Sequence, residues 1–444
     1  MEGSSIKILA VVVVVAVVAA GAGAFLLLNK NKDDEYYSSN SDCRLQILGN
    51  ADENDYLDQK DIDKINAMIE EKTYSKMADA NNDGVVDSQD ADMVKKIIDL
   101  KSSNSKKADA DKEKMDVYYI TVNGKTQSAK FPVTKIICVN TQRALDIAIN
   151  IGVANKFVAT NDYVNQYATN VDSTYMYRAF KDLPSVGDRK EPDLEEITKI
   201  DADAIHAGTT ATYLKNVDAD ATSYGGKTIL RLASWENGGY ASGALMLGFF
   251  TDADKAAQDF VKWMDDLEKT VNDKLKDIAD KDKIKVISMS SATWFGAQTD
   301  GVSSAVSAVG ITNVGNNIIT DPTKSGGSAT TYKEDIVAQN PEYLFLSPYL
   351  YLNQTSEEIA TKYAGYNFNH IAACDAVKNG KIYMLNYEMP FILTTLLVAK
   401  ILFADQFSDV DVDGYLKEYV NDYCNLDGTG YVYNADTFYY HPSS

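Results

Sequence analysis

The stretch DANNDGVVDSQD, residues 79–90, spaces oxygen-bearing side chains as a calcium loop does. Such a loop takes oxygens from positions 1, 3, 5, 7, 9 and 12, the seventh through its carbonyl, with glycine at position 6 for the sharp turn. Those positions are Asp79, Asn81, Asp83, Val85, Asp87 and Asp90, and Gly84 stands at the turn. The pattern occurs twice. In the first copy, 29 residues upstream and without a gap, the matching residues are Asn50, Asp52, Asn54, Tyr56, Asp58 and Asp61. Asp55 stands where glycine is expected, and a side chain tolerates that tight backbone poorly. A weaker or distorted first site is therefore expected. Each loop runs into an amphipathic helical stretch: Ile65, Met68 and Ile69 in one copy match Val94, Ile97 and Ile98 in the other.

These loops occupy a small part of a chain of 444 residues, long enough for two or three domains. The balance of 45% hydrophobic and 24% charged residues is that of a globular protein. A net charge of −21 argues against nucleic acid as a partner, because a phosphate backbone needs a basic footprint. With 3 histidines, a histidine-based metal or catalytic cluster is not expected; tyrosine, at 28, is abundant. Cys43, Cys138, Cys374 and Cys424 show no CxxC spacing, which sets aside zinc ribbons and redox motifs. Buried thiols are expected, and a Cys374–Cys424 pairing is left open.

The run from Ile8 to Leu28 is uncharged. As a helix it spans roughly 30 Å, the thickness of a bilayer core. Residues 1–31 therefore read as an uncleaved membrane anchor, with a long signal peptide as the alternative, and place the remainder outside the cell membrane. Residues 102–115 have the composition of a linker. After it, VYYITVNGKTQSAKF reads as a hairpin turning at Asn123-Gly124. Strand and helix patterns then alternate. KIICV, KFVAT, DAIHAG and KTILRLA are expected strands over 116–251, and KIKVISMS, EYLFLS and KIYMLN over 280–430. A long amphipathic helix, 252–279, capped by Asp252, connects the two sets, and a Gly- and Tyr-rich tail, 431–444, carries no assignment.

Aspartate at position 12 of both loops, the duplication and the single helix after each loop resemble a dockerin module over 43–101. That resemblance implies a small all-α domain folded around structural calcium, with a cohesin-type partner. A second resemblance rests on LPSVGDRKEPDLEEITKIDADAIHAG, TYKEDIVAQNPEYLFLSP and CDAVKNGKIYMLN, which follow in order between about 116 and 426. These are similar to the substrate-binding proteins of ABC importers for iron-siderophores, haem and cobalamin. The implied fold is α/β: two Rossmann-like lobes joined by one long interdomain helix, with a metal chelate held between them. An ABC permease is the implied partner.

Ligands of open α/β sheets sit beyond the carboxyl ends of the strands. The segments there supply Tyr163, Tyr213, Trp235, Trp294, Tyr349 and Tyr387 as expected cleft-lining rings, whose faces suit a bulky complex. Arg178 and Arg231 are the expected partners of an anionic ligand group. By the resemblance, Glu195 of DLEEI and Glu334 of YKEDI dock onto the permease. GxSxG, P-loop and HExxH motifs are all absent, so an enzyme is not expected. The alternative is a cell-surface polysaccharide-active enzyme or adhesin carrying a dockerin module.

Overall fold

A computed structural model describes residues 43–171, 175–235, 239–298, 300–426 and 428–442. The expected anchor, 8–28, lies outside the described residues. Among the described residues no helix is long and apolar enough to cross a membrane. The chain divides into two compact units, one running to Val261 together with Tyr423–Asn425, the other comprising the remainder.

The first unit opens with the duplicated loops. Each is followed by a helix, Gln59–Glu71 and Ser88–Asn104, and the two pack over Ala51, Ile65, Met68, Ala78, Ala80 and Val94. The hairpin follows, with β1 (Met115–Ile120) antiparallel to β2 (Thr126–Phe131). Gly124 takes φ +77° at its turn, a left-handed backbone that glycine adopts without steric cost. Next come β3 (Ile136–Cys138), β4 (Phe157–Ala159), β5 (Ala204–Ala207), β6 (Ser223–Tyr224) and β7 (Lys227–Arg231). They form one sheet in the order β4-β3-β5-β7-β6, parallel except for the edge strand β6. Every residue of β3, β5 and β7 is buried, as parallel strands covered on both faces require.

The linker-like stretch 102–115 is tied down at several points. Asn104 donates to the Glu113 carbonyl at 2.8 Å, Lys112 pairs with Asp252 at 2.8 Å, and Lys156 pairs with Asp109. Asp252 is not a helix cap. Its backbone is left-handed, φ +61°, and its amide bonds to the Phe249 carbonyl, closing the preceding helix Tyr240–Phe250. The long helix starts later and stops earlier than expected, at Asp254–Leu275, and the division between the units falls within it.

The second unit holds β8 (Lys285–Ser291), β9 (Trp294–Gly296), β10 (Thr312–Asn313), β11 (Gly326–Ser328), β12 (Tyr343–Leu346), β13 (Ile382–Leu385) and β14 (Tyr439–Tyr440). The order is β11-β9-β8-β12-β13-β14, with β10 beside β8. Strands β8, β12, β13 and β10 run parallel, whereas β9, β11 and β14 are antiparallel additions. Both sheets are thus mixed, parallel at the centre as the expected Rossmann-like lobes require, with antiparallel strands at the edges. The unassigned tail supplies β14. All four cysteines are buried and none forms a disulfide among the described residues; burial pushes the thiols of Cys138 and Cys374 up to about 12 and about 11.

Candidate functional site

At the carboxyl ends of the first unit's parallel strands the chain turns polar at once. After β3 comes Asn140, whose Oδ1 accepts the Thr141 amide at 2.7 Å. After β4 comes Asn161, whose Nδ2 donates to the carbonyls of Cys138 at 3.1 Å and Asn140 at 2.8 Å, binding the two strand ends together. Its Oδ1 accepts the Val164 amide and starts the helix Asp162–Gln166. That helix carries Tyr163, half-buried, with the Arg189 guanidinium 3.8 Å from its ring centroid.

At the ends of β5 and β7 lies a second group. Arg231 closes β7 and is 1% exposed. Its Nη1 donates to the Gly208 carbonyl at 3.2 Å and reaches the Tyr213 carbonyl at 3.5 Å, while Nε and Nη2 are buried without a hydrogen-bond partner. Burial lowers its pKa from the usual guanidinium value. Tyr213 is likewise core, 1% exposed, and its hydroxyl accepts Trp235 Nε1 at 3.3 Å. Trp235 itself is 51% exposed.

Of the five residues expected to line the first unit's site, Tyr163 and Trp235 present rings at its surface, whereas Tyr213 and Arg231 lie beneath it. Arg178 serves a different purpose. Its Nη1 donates to the Tyr175 carbonyl at 2.8 Å and its Nη2 to the Asn425 carbonyl, pinning a returning segment of the chain. Sequence reasoning missed Arg189, Asn140 and Asn161. The two asparagines follow buried strands directly, a signal available beforehand. Arg189 sits in an irregular turn, and nothing local marks it.

In the second unit the equivalent strand ends carry Trp294, Tyr349 and Tyr387. Trp294, 43% exposed, opens β9 opposite Ser328 of β11. Tyr349 and Tyr387 follow β12 and β13, and their rings meet edge to face at 5.3 Å. The Tyr387 amide donates to the Pro348 carbonyl at 3.1 Å, and Lys362 Nζ donates to the Tyr349 carbonyl at 2.5 Å, fixing both turns.

Glu195 and Glu334 occupy matching places. Each lies in the first turn of a short helix, Leu194–Lys199 and Lys333–Gln339, and each is exposed. Among the described residues the Glu195 carboxylate reaches Lys199, at 3.8 Å, and a surface pair of that kind contributes little to stability.

The two acidic loops differ in detail. In the second, Asp79 is fully buried and accepts the amides of Asp83 and Gly84, each at 3.0 Å, and the Tyr74 hydroxyl at 3.2 Å. Lys76 Nζ lies 3.7 Å from it. Asn81 and Asp83 oxygens accept the amides of Asp83 and Val85 in turn, and Gly84 takes φ +90°. Asp87 and Asp90 form a capping box on the helix Ser88–Asn104, so both also serve as caps.

In the first loop Asp58 and Asp61 repeat that box on the helix Gln59–Glu71, and the oxygens of Asp52 and Asn54 accept the amides of Asn54 and Tyr56. Asn50, however, turns its Nδ2 to the carbonyls of Leu45 and Asn54, leaving Oδ1 buried and unpaired. Asp55, at the glycine position, is clasped by Arg44. Burial, with Asp52 and Asp58 nearby, pushes the Asp61 carboxyl up to about 7. Among the described residues no three His, Cys, Asp or Glu side chains converge as a metal cluster. The carboxylates are spent on backbone amides.

Comparison with known proteins bears on the strand-end sites. Residues 136–388, more than half of the chain, match the model of a family described as periplasmic binding protein. The fold is similar to a TroA-like periplasmic binding protein, FepB, from Veillonella parvula: 14% identity, TM-score 0.58, covering 73% of this chain and 99% of that one. It is also similar to the molybdate-bound MolA of a Haemophilus influenzae ABC transporter, with 14% identity, TM-score 0.55 and coverage of 69% and 97%. Helicobacter pylori CeuE, in a complex with nickel and histidine, gives 18% identity, TM-score 0.53 and coverage of 71% and 97%. No curated protein sequence gives a significant match.

Proposed function

The chain belongs to the periplasmic binding protein family, the substrate-binding receptors of ABC importers and not enzymes, and from that premise we propose that it captures a metal chelate of the siderophore, haem or cobalamin kind. Membership of a family of transport receptors removes the polysaccharide-active enzyme offered as the alternative. The observation that supports the chelate reading is that large exposed rings stand at the strand ends of each unit. Of the eight large apolar side chains exposed among the described residues, Trp235, Trp294, Tyr349 and Phe391 follow or adjoin the carboxyl ends of parallel strands. Exposed apolar surface is costly unless something covers it, and a broad hydrophobic complex can.

Glu195 and Glu334, exposed and without a strong partner among the described residues, suit docking to cationic groups of a permease. The reading is tested by titrating the full chain with ferric siderophores, haem and cyanocobalamin while following Trp fluorescence. Submicromolar quenching by one of them supports it. A flat response to all of them, with molybdate equally silent, counts against it.

For the duplicated loops we propose that calcium, if bound, is held by the second one. Asp79, Asn81, Asp83, the Val85 carbonyl, Asp87 and Asp90 bring the oxygens, and Gly84 supplies the turn. A cation there neutralises carboxylates that now rest mainly on backbone amides, with Lys76 beside Asp79, and stabilises the folded loop. The first loop fits poorly, since Asn50 presents its amide nitrogen to the Asn54 carbonyl. Calorimetry with calcium should detect one site, abolished by Asp79→Ala and kept in Asn50→Ala.

A further inference from the structure

The residues that match the family model end at 388. Residues 433–441 lie beyond that match, yet they are built into the second unit at its strand ends. Strand β14 runs antiparallel to β13, with Tyr440 opposite Met384 and Tyr439 opposite Leu385. A ladder of two residues holds little by itself, and the neighbouring side chains do the anchoring. Thr437 is fully buried and Phe438 is 1% exposed. The Tyr440 ring meets Tyr363 of the helix Ser356–Ala364 edge to face at 5.5 Å, and the His441 ring stacks on Tyr383 at 4.4 Å. At the other end of the segment the Tyr433 hydroxyl donates to Asp413 at 3.3 Å.

This segment bonds to the turns that carry Tyr349 and Tyr387. Asn386 directly follows β13 and is buried. Its amide donates to the Phe438 carbonyl at 2.8 Å, and its Nδ2 donates to the Thr437 carbonyl at 2.9 Å. Its Oδ1 accepts the amides of Glu388 at 2.9 Å and Leu350 at 3.4 Å, the residues just after Tyr387 and Tyr349. One buried amide side chain thus ties the tail to both turns. From the far side, Asn434 Nδ2 donates to the Gln354 carbonyl at 3.3 Å, and its Oδ1 accepts the Ser356 hydroxyl at 3.4 Å. Removing the tail leaves Asn386 without two of its partners. A buried polar group stripped of partners is costly, so Asn386 must turn toward water and release the Leu350 and Glu388 amides with it.

We propose that residues 433–441 are a strap that sets Tyr349 and Tyr387 in place for the cargo, and that Asn386 is the positioning residue through which it acts. The receptor reading enters only in taking those two rings as cargo-facing. The strap itself is a property of the second unit and is the same whatever the cargo.

The test compares hydrogen exchange in the full-length chain, in Asn434→Ala and in a chain lacking 428–444. The amides of Leu350 and Glu388 should exchange at least about tenfold faster in both variants, while β8 keeps its protection. The peptide of residues 431–444, added in excess, should restore the protection of the shortened chain. Asn386→Ala should loosen the same amides and add nothing to the truncation, as expected of two changes acting through one contact. Haemin, ferric tricatecholate and cyanocobalamin are then titrated against the intact chain and Asn434→Ala. The probe that binds the intact chain should bind the variant about tenfold more weakly at unchanged thermal melting. Unchanged exchange at Leu350 and Glu388 overturns the strap, as does loosening spread evenly over β8, β12 and β13. Faster exchange with unaltered affinity overturns its positioning role. Should none of the three probes bind the intact chain, the chelate reading fails and the exchange data alone decide the strap. Where the shortened chain does not fold, Asn434→Ala decides it.

Discussion

The two units use the same strand-end architecture and fill it with different chemistry. In the first, titratable groups lie deep in the sheet: His206 and Arg231 are each 1% exposed and Tyr119 is fully buried, its hydroxyl accepting the Arg231 amide at 3.0 Å. In the second, the corresponding interior is built on hydroxyl and amide groups, with the Asp300 carboxylate accepting the Ser303 amide at 2.9 Å. Ser288, Ser303 and Asn313 form a buried network, with 2.6 Å between the two serine oxygens and 2.6 Å from Asn313 Nδ2 to Ser303. One fold plan thus buries titratable groups in one unit's sheet and a serine–asparagine network in the other's. Shared architecture fixes where a ligand can sit, and the residues at the strand ends decide what kind of ligand it is.

Acid should separate the units most strongly. Burial holds the His206 imidazole at about 4, below its ordinary 6.5. The unfolded chain then binds that proton more tightly, so stability present above pH 6.5 is lost as pH falls toward 4, by about 3 kcal/mol there. In the second unit, burial raises the carboxyl of Asp300, which caps the helix Gly301–Ala308. Its sign is opposite: that contribution is fully present in acid and lost as pH rises through the raised value. Hydrogen exchange at pH 7 and pH 4 should show β3, β5 and β7 around His206 loosening in acid while the second unit's sheet does not; the loop around Asp61, raised to about 7, has the opposite sign. His206→Gln should remove most of the difference, and equal loosening of both units would break the comparison.

Next in size is the serine–asparagine network. Asn313→Ala removes a donor to Ser303 and the cap on Gly315, leaving buried hydroxyls short of partners. A loss of about 2 kcal/mol in urea unfolding is expected, confined to the second unit. The aromatic edge should respond in affinity rather than stability. Trp294→Ala and Tyr349→Ala remove partly exposed rings, so stability should move by less than about 0.5 kcal/mol, while chelate affinity falls about tenfold. Smallest in the isolated protein are Glu195→Ala and Glu334→Ala. Ligand binding and melting should stay unchanged, while uptake through a reconstituted permease is lost in the double variant.

Much of this was legible beforehand where local pattern carries the signal. Buried parallel strands appear as short apolar runs, and each expected run became a strand within two residues of its bounds. The duplicated loops declare themselves by register, and the hairpin by Asn123-Gly124. Strands β6, β10 and β14 have two residues each, too few to show a period. The stretch 102–115 has a linker's composition, yet Lys112 finds its carboxylate 140 residues away. Composition carries no record of such a partner.

The sequence by itself determined the α/β alternation, the two acidic loops with the amphipathic stretch after each, and which strand ends carry rings. These follow from periodicity, residue type and short-range hydrogen bonding, which a linear chain displays. Tertiary structure alone decided depth and pairing: that Tyr213 and Arg231 are core, that Arg178 clasps a returning segment, and that Arg189 lies on Tyr163. Burial and counter-charge are set by neighbours distant in the chain, and only folding brings those neighbours into contact.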